Sequence, residues 1–315
     1  MDRAHARLEI VDFHNHHIPA RFELTAAKTA PASQRARWDA IARRLSDETL
    51  LLRDIRDGDI SARVVNIPAA LIADAEGSVP DATIMAMNDE LAGLVARHPG
   101  RIYGLASVDA YDGERSAREA ERAVRDLGLR GLFVDCARGD VMMDAPQARP
   151  TLEVAARVGV PVFVHPVAPQ PLTRQMARYG PVGALFARGT ANSAALIALV
   201  EGGVFSQLPG VVVTALALGG VAMAAGLSSQ SLLRSGTIDV LRKHVFIDTT
   251  IAHPALLRAG VDLLGAGNVL AGSDWPINDG PLRGALVDAM RQAKLSDAEQ
   301  NAVAAGNCLR LLGIA

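Results

Sequence analysis

Cysteine is nearly absent: Cys136 and Cys308 are the only two in 315 residues, and they form neither a disulfide framework nor a CxxC pair. Aromatic residues are scarce at 4%, yet half the chain is apolar and 21% is charged, which excludes disorder, collagen-like repeats and a disulfide-rich mini-protein. Neither sign of charge dominates. With 32 Lys and Arg against 34 Asp and Glu the formal net charge is −2, so no global field favours nucleic acid or an anionic membrane as a partner. The opening MDRAHARLEI lacks the apolar stretch of a secretory signal, which makes the cytoplasm the expected compartment. Charge is also missing between Glu201 and Arg234, and 210–227 is long enough to invite a membrane reading. Pro209-Gly210 and Gly219-Gly220 divide this stretch, which reads as buried strand, turn and helix. The length suits one large domain over 1–315 better than two independent enzymatic units.

Apolar, β-branched runs recur with helical segments between them. Eight are present: Leu8–Phe13, Ala62–Ile67, Ile102–Val108, Gly131–Asp135, Val160–His165, Val211–Leu216, His244–Asp248 and Asn268–Asp274. Strands apolar on both faces belong to a parallel sheet covered by helices, and eight strand–helix units close a (β/α)8 TIM barrel. Helix punctuation agrees. One helix starts after Ser78-Val-Pro-Asp and ends near His98-Pro99-Gly100, a surface helix covers 114–127, and Ser296-x-x-Glu299 is a capping box opening the last. Two connections are oversized insertions: 18–58 after strand one and 166–207 after strand five. Both leave C-terminal strand ends, the face on which such barrels build active sites.

His14 and His16, in VDFHNHH, lie at i and i+2, so on a strand both imidazoles project to one side. His165 ends strand five in PVFVHP, and Asp274 ends strand eight in LAGSDWP. In a closed barrel strands one and eight are neighbours and strand five faces them across the mouth. Three histidines and one carboxylate therefore converge, a donor set suited to Zn²⁺, with Mn²⁺, Fe²⁺ and Co²⁺ as competitors.

Together these residues resemble the amidohydrolase-related family that includes aminocarboxymuconate-semialdehyde decarboxylase and the γ-resorcylate-type and other aromatic-acid decarboxylases. The resemblance runs through VDFHNHHIP, Asn88-Asp89, HPGRIYGLASVD, GLRGLFVD, VPVFVHP, LPGVVVTALALGG, HVFIDTT, AGSDWP and GNCLRLLGI. It implies a TIM barrel holding one divalent metal, often zinc, on His14, His16, His165 and Asp274, in a homodimer or larger homo-oligomer. One position departs from the pattern: family members carry a histidine before the Gly-Gly after strand six, whereas this chain has Ala217 there.

Softer candidates surround this set. Arg35, Arg37, Arg43 and Arg44 cluster in the first long connection, and Arg43 and Arg44 could pair with a substrate carboxylate if they do not simply form a solvated face. His253, in DTTIAHP, could reach the site or cap a helix, and Trp275 could wall the pocket or pack beneath the rim. His17 points away from His14 and His16, and Cys136 reads as a buried filler. The functional expectation is a metal-dependent decarboxylase of a small aromatic or unsaturated carboxylic acid, with Asp274 handling the proton. The alternatives are a metal-dependent hydrolase of a lactone, amide or related C–N or C–O bond, and a catalytically weakened subunit of a heteromeric complex.

Overall fold

The β-branched runs fold as strands, and the segments between them cover the outside as helices. The computed structural model describes residues 7–314 except 26–27, 29–31, 75–77, 209–211, 215–217, 229–236, 251 and 279. The strands are β1 (Val11–His16), β2 (Ala62–Asn66), β3 (Ile102–Gly104, resuming as Ala106–Ser107) and β4 (Leu132–Asp135). They continue as β5 (Val162–His165), β6 (Val212–Thr214), β7 (Val245–Asp248) and β8 (Val269–Leu270). Each pairs in parallel with the next. At the break in β3, Leu105 N–H donates back to Val65 while Ala106 N–H donates forward to Gly131, so the strand changes partners without leaving the ring. Closure comes from Phe13 N–H to the Ala271 carbonyl (2.8 Å) and His16 N–H to the Trp275 carbonyl (2.8 Å). The ring of eight parallel strands is a (β/α)8 barrel.

Phe13, Phe133, Phe163 and Phe246 meet Val11, Val64, Leu105 and Leu270 inside the ring. Four of the seven phenylalanines are thus spent filling a narrow interior. Phe163 packs edge-on against Phe13 (5.4 Å between centroids) and Phe133 (5.5 Å). Burial of each such side chain stabilises by about 1.5–3 kcal/mol. Cys308 and Leu312, from the last helical segment, pack against the same cluster.

Two strand boundaries differ from the sequence reading. β1 runs on to His16 because its polar residues find partners on neighbouring strands, and β8 leaves the regular ladder after Leu270 to hydrogen-bond β1. Positions 211, 215 and 216 of the expected sixth strand lie outside the described residues, as does Ala217. Gly219 and Gly220 do not break the chain; they lie in the first turn of helix Leu218–Ser228. A Cβ at Gly220 would stand 2.7 Å from Ser193 Cβ, so glycine permits the close approach to helix Gly180–Glu201.

The connection after β1 forms helices Arg35–Leu45 and Glu48–Asp57. The connection after β5 forms Gln170–Met176 and Gly180–Glu201, followed by the short Val204–Gln207. The capping box is formed, with Ser296 N–H donating to Glu299 Oε2 at 2.7 Å. Among the described residues one helical stretch, Gln170–Glu201, is long and apolar enough by length and composition to cross a membrane. It lies after β5.

Candidate metal centre

The register of β1 against β2 shifts between Asp12 and Asn15. Such a bulge re-aims side chains, and here both Phe13 and His14 face the barrel interior, His14 lying 4.9 Å from the Phe163 ring. His165, two residues beyond Phe163, rises on the same side of β5. The result is a group of three buried imidazoles, His14, His16 and His165, each offering one ligand atom within 4.8 Å of the others. Asp274 completes it from the end of β8, with Oδ1 at 3.1 Å from His16 Nε2 and 3.5 Å from His14 Nε2.

The far nitrogens decide what the near ones can do. His14 Nδ1 is 2.7 Å from Asp248 Oδ2 and 3.0 Å from Thr250 Oγ1, and His16 Nδ1 is 2.7 Å from Asn66 Oδ1. Carboxylate and amide oxygens only accept, so both rings carry a proton on Nδ1 and leave Nε2 facing inward. With a neutral ring, His16 Nε2 is then a lone pair held 3.1 Å from a carboxylate oxygen, an arrangement that calls for a cation. His14 Nε2 and His165 Nδ1 are buried without any hydrogen-bond partner, which carries the same message. Gly272 leaves the room this needs, since a Cβ there would stand 3.1 Å from His14 Cβ and 3.0 Å from Asp248 Cβ.

Electrostatics agree with a cation-ready centre. Burial favours neutral imidazole at His16 and His165, holding both below the usual histidine value, and the Arg188 charge adds to the effect at His165. At His14 burial acts in the same direction, but Asp248 and Asp274 outweigh it and raise the value. Burial alone would push Asp274 up; His14, His16 and Arg188 reverse this and hold it below the ordinary carboxylate value, so it is an anion. Asp135, at the end of β4 and in register with His165, is raised to about 7 by burial and by Asp109.

Asp274 is held from below. Its backbone has φ 62°, a strained conformation for a non-glycine residue, and its N–H donates to the His14 carbonyl at 2.9 Å. The preceding Ser273 is clamped by Asp12, whose two oxygens accept from its N–H (3.0 Å) and hydroxyl (2.6 Å). Asp12 lies 3.5 Å from the buried Arg63 Nε, and the Arg63 guanidinium stacks on the Trp275 ring at 4.6 Å.

The other sequence candidates fare differently. Trp275 is a correction: it is 3% exposed and packs on Arg63 beneath the rim. His253 is a second correction. It is exposed and caps helix Pro254–Leu264, its Nδ1 accepting from Ala255 N–H at 3.2 Å. Arg43 and Arg44 lie in the last turn of helix Arg35–Leu45, the first exposed and the second half-buried. His17 is buried on the other side, lining a small cavity with Glu48 and Arg97. Cys136 is buried, its thiol pushed up to about 11 by burial, which suits a filler and not a nucleophile.

Asn66, Asp135 and Asp248 were not singled out in the sequence, although each ends a strand run, and that position was a usable signal. Arg188 had none. It sits in the middle of helix Gly180–Glu201, yet its Nη2 reaches to 3.4 Å from His165 Nε2.

Comparison with known proteins places this geometry among relatives. The sequence profile of the amidohydrolase family matches residues 11–314. A 2-amino-3-carboxymuconate-6-semialdehyde decarboxylase of Dictyostelium discoideum is 26% identical over 239 residues, covering 72% of this chain and 66% of that protein. The matched stretch thus spans just under two thirds of that relative's length. The crystal structure of 5-carboxyvanillate decarboxylase from Sphingomonas paucimobilis superposes with a TM-score of 0.82 at 23% identity, over 98% of this chain and 100% of that one. A dihydroxybenzoic acid decarboxylase from Polaromonas sp. JS666, solved with manganese and the inhibitor 2-nitroresorcinol, gives 0.82 at 22% identity over 97% of both chains. With a histidine-rich centre at the mouth of its barrel and a family profile matched over nearly its whole length, the chain belongs to the amidohydrolase family.

Proposed function

We propose that this chain is a metal-dependent decarboxylase of a small aromatic or unsaturated carboxylic acid, built as one barrel domain over 1–315. The observation that carries the reading is the inward set of His14 Nε2, His16 Nε2, the His165 imidazole and Asp274 Oδ1, with His14 Nε2 and His165 Nδ1 buried and unpartnered. Three imidazoles and one carboxylate fit a divalent ion, Zn²⁺ on donor chemistry, with Mn²⁺, Fe²⁺ and Co²⁺ able to use the same set. Manganese in the Polaromonas relative and the decarboxylase names of the relatives support the class. When bound, the ion supplies positive charge that orients substrate oxygens and stabilises the negative charge developing as CO2 departs.

The chain's own residues then have separable tasks. Asp248 and Asn66 fix the rings of His14 and His16, so that their lone pairs stay aimed inward. The phenylalanine floor beneath the histidines excludes water, which strengthens every charge interaction above it. Asp274 moves the proton: as an anion it takes one from a substrate hydroxyl and returns it to the carbon whose bond to CO2 has broken. Arg43 and Arg44, in the long connection leaving β1, help hold an acidic substrate at the rim.

The same reading places the protein in the cytoplasm as a homodimer or larger homo-oligomer, with neither nucleic acid nor membrane as partner. Tyr179, Val182, Leu185 and Phe186 are exposed close together along one segment, an apolar face that subunit contact would cover. The test is product analysis with metal-loaded protein on a panel of hydroxybenzoates, pyridine carboxylates and lactones. CO2 release from a carboxylated substrate, lost in Asp274→Asn, is expected. Net addition of water to a lactone without CO2 release from any acid would make the chain a hydrolase instead.

A further inference from the structure

Among the described residues the bulkiest wholly buried side chain is a cation, Arg63, 1% exposed. It stands opposite Asp12 in the β1–β2 register, and both alternate with the inward-facing Val11, Ala62 and Val64. The pair therefore lies on the outer side of the barrel wall. As a stabiliser this is a poor arrangement. Nε and Nη1 have no hydrogen-bond partner, and a buried guanidinium with unsatisfied donors costs about as much as its ion pairs return. What the guanidinium touches has a common theme. Asp12, 3.5 Å from Nε, grips Ser273, and the Trp275 ring lies against the guanidinium plane at 4.6 Å, so Arg63 reaches the residues on either side of Asp274. Its third contact, Nη2 to Asp54 Oδ2 at 2.5 Å, is with helix Glu48–Asp57 of the first long connection.

The left-handed backbone of Asp274 does not hold itself, so its neighbours must. Among the described residues Arg63 is the only cation within 4.0 Å of Asp12, whose carboxylate is wholly buried. Its charge fixes the carboxylate that accepts twice from Ser273, and its stacking fixes Trp275. We propose that Arg63 is a positioning residue of the metal centre, holding Asp274 from both sides and, through Asp54, tying the strength of metal binding to the seating of helix Glu48–Asp57. The inference rests on Asp274 serving the ion, as in the reading above, and is indifferent to whether the loaded protein decarboxylates or hydrolyses. Such coupling is reciprocal: whatever shifts the helix loosens the ion, and loading the centre steadies the helix.

The test reads Mn²⁺ affinity, by chelator competition well below Tm, and the absorption spectrum of Co²⁺-loaded protein. Arg63→Met keeps much of the bulk and removes the charge. It is expected to weaken Mn²⁺ binding about tenfold, the scale for a residue acting on a ligand from outside the coordination sphere, and to alter the Co²⁺ spectrum whichever way Tm moves. Arg63→Lys should recover part of the affinity. Combined with Ser273→Ala the losses should not multiply, because both changes break one clamp. Asp54→Asn, at a partly exposed position, should weaken binding about threefold, the scale of a half-exposed ion pair, and it decides the matter if Arg63→Met fails to fold. Unchanged Mn²⁺ affinity in a folded Arg63→Met makes Arg63 packing alone and overturns the assignment, as do losses that multiply in full in the double variant. Wild-type affinity in Asp54→Asn overturns the coupling to the helix. Asp274→Asn is run alongside. Loss of affinity there with none in Arg63→Met rejects this inference alone; no loss in Asp274→Asn rejects the ligand set and the inference with it.

Discussion

His14, His16, His165 and Asp274 could be named from spacing alone, because a strand sends alternate residues to one side and a barrel brings strand ends together. Their partners could not be named with the same ease. Asp248 and Asn66 act through single hydrogen bonds of 2.7 Å to the rings, and their place at strand ends marks them as candidates without saying which ring each would hold. Trp275 and His253 were ambiguous for a related reason: a residue beside a ligand can face the pocket or the packing, and burial and capping decided for the packing. Asp135 gives a prediction at this scale. Its folded value of about 7 lies above the ordinary 3.8, because burial and Asp109 disfavour the charge. The protonated carboxyl is therefore tolerated in the fold, and the stability it contributes is complete below the unfolded value and lost as pH rises through about 7. In metal-free protein, Asp135→Asn should raise the unfolding free energy at pH 8 by about 1–2 kcal/mol and make no difference near pH 4. Urea denaturation at the two pH values checks this, and an equal effect at both would contradict it.

The eight strands were legible because apolar, β-branched runs punctuated by turns have few alternatives, whereas their ends were less so. β1 extends through a polar HNH run that reads as loop in isolation and becomes strand only because neighbouring strands satisfy it. Asp274 depends on such an end. Ser273 ties the exit of β8 to Asp12 through two hydrogen bonds, and its hydroxyl also accepts from Trp275 N–H at 3.1 Å. Ser273→Ala keeps the first bond and removes the other two, which should cost about 1–2 kcal/mol of stability and leave Asp274 free to relax from its left-handed backbone. Metal affinity should fall roughly tenfold, as for loss of a group that orients a ligand. Competition with a fluorescent chelator measures it, and unchanged affinity would mean that the Asp12 clamp does not position Asp274.

For the whole molecule, a centre built from β1, β5 and β8 staples the two halves of the barrel across the mouth. An ion that binds the folded chain alone stabilises by about 2.7 kcal/mol at a hundredfold excess over its Kd. Chelation should accordingly lower Tm by about 4 °C for a chain of this size, with Mn²⁺ or Zn²⁺ restoring it. His165→Ala should fold, retain little metal by elemental analysis and show no Tm response to chelator; full metal retention would remove His165 from the ligand set. Sequence alone determined the barrel and the identity of the converging histidines and aspartate, since hydrophobic period and residue spacing are properties of neighbours along the chain. Only the tertiary structure decided which nitrogen of the His14 and His16 rings faces inward, that Trp275 lies under Arg63, and that Arg188 reaches His165 from a helix 23 residues on. Those outcomes depend on the packing of elements distant in sequence, and that packing is settled by the fit of side chains across the closed ring.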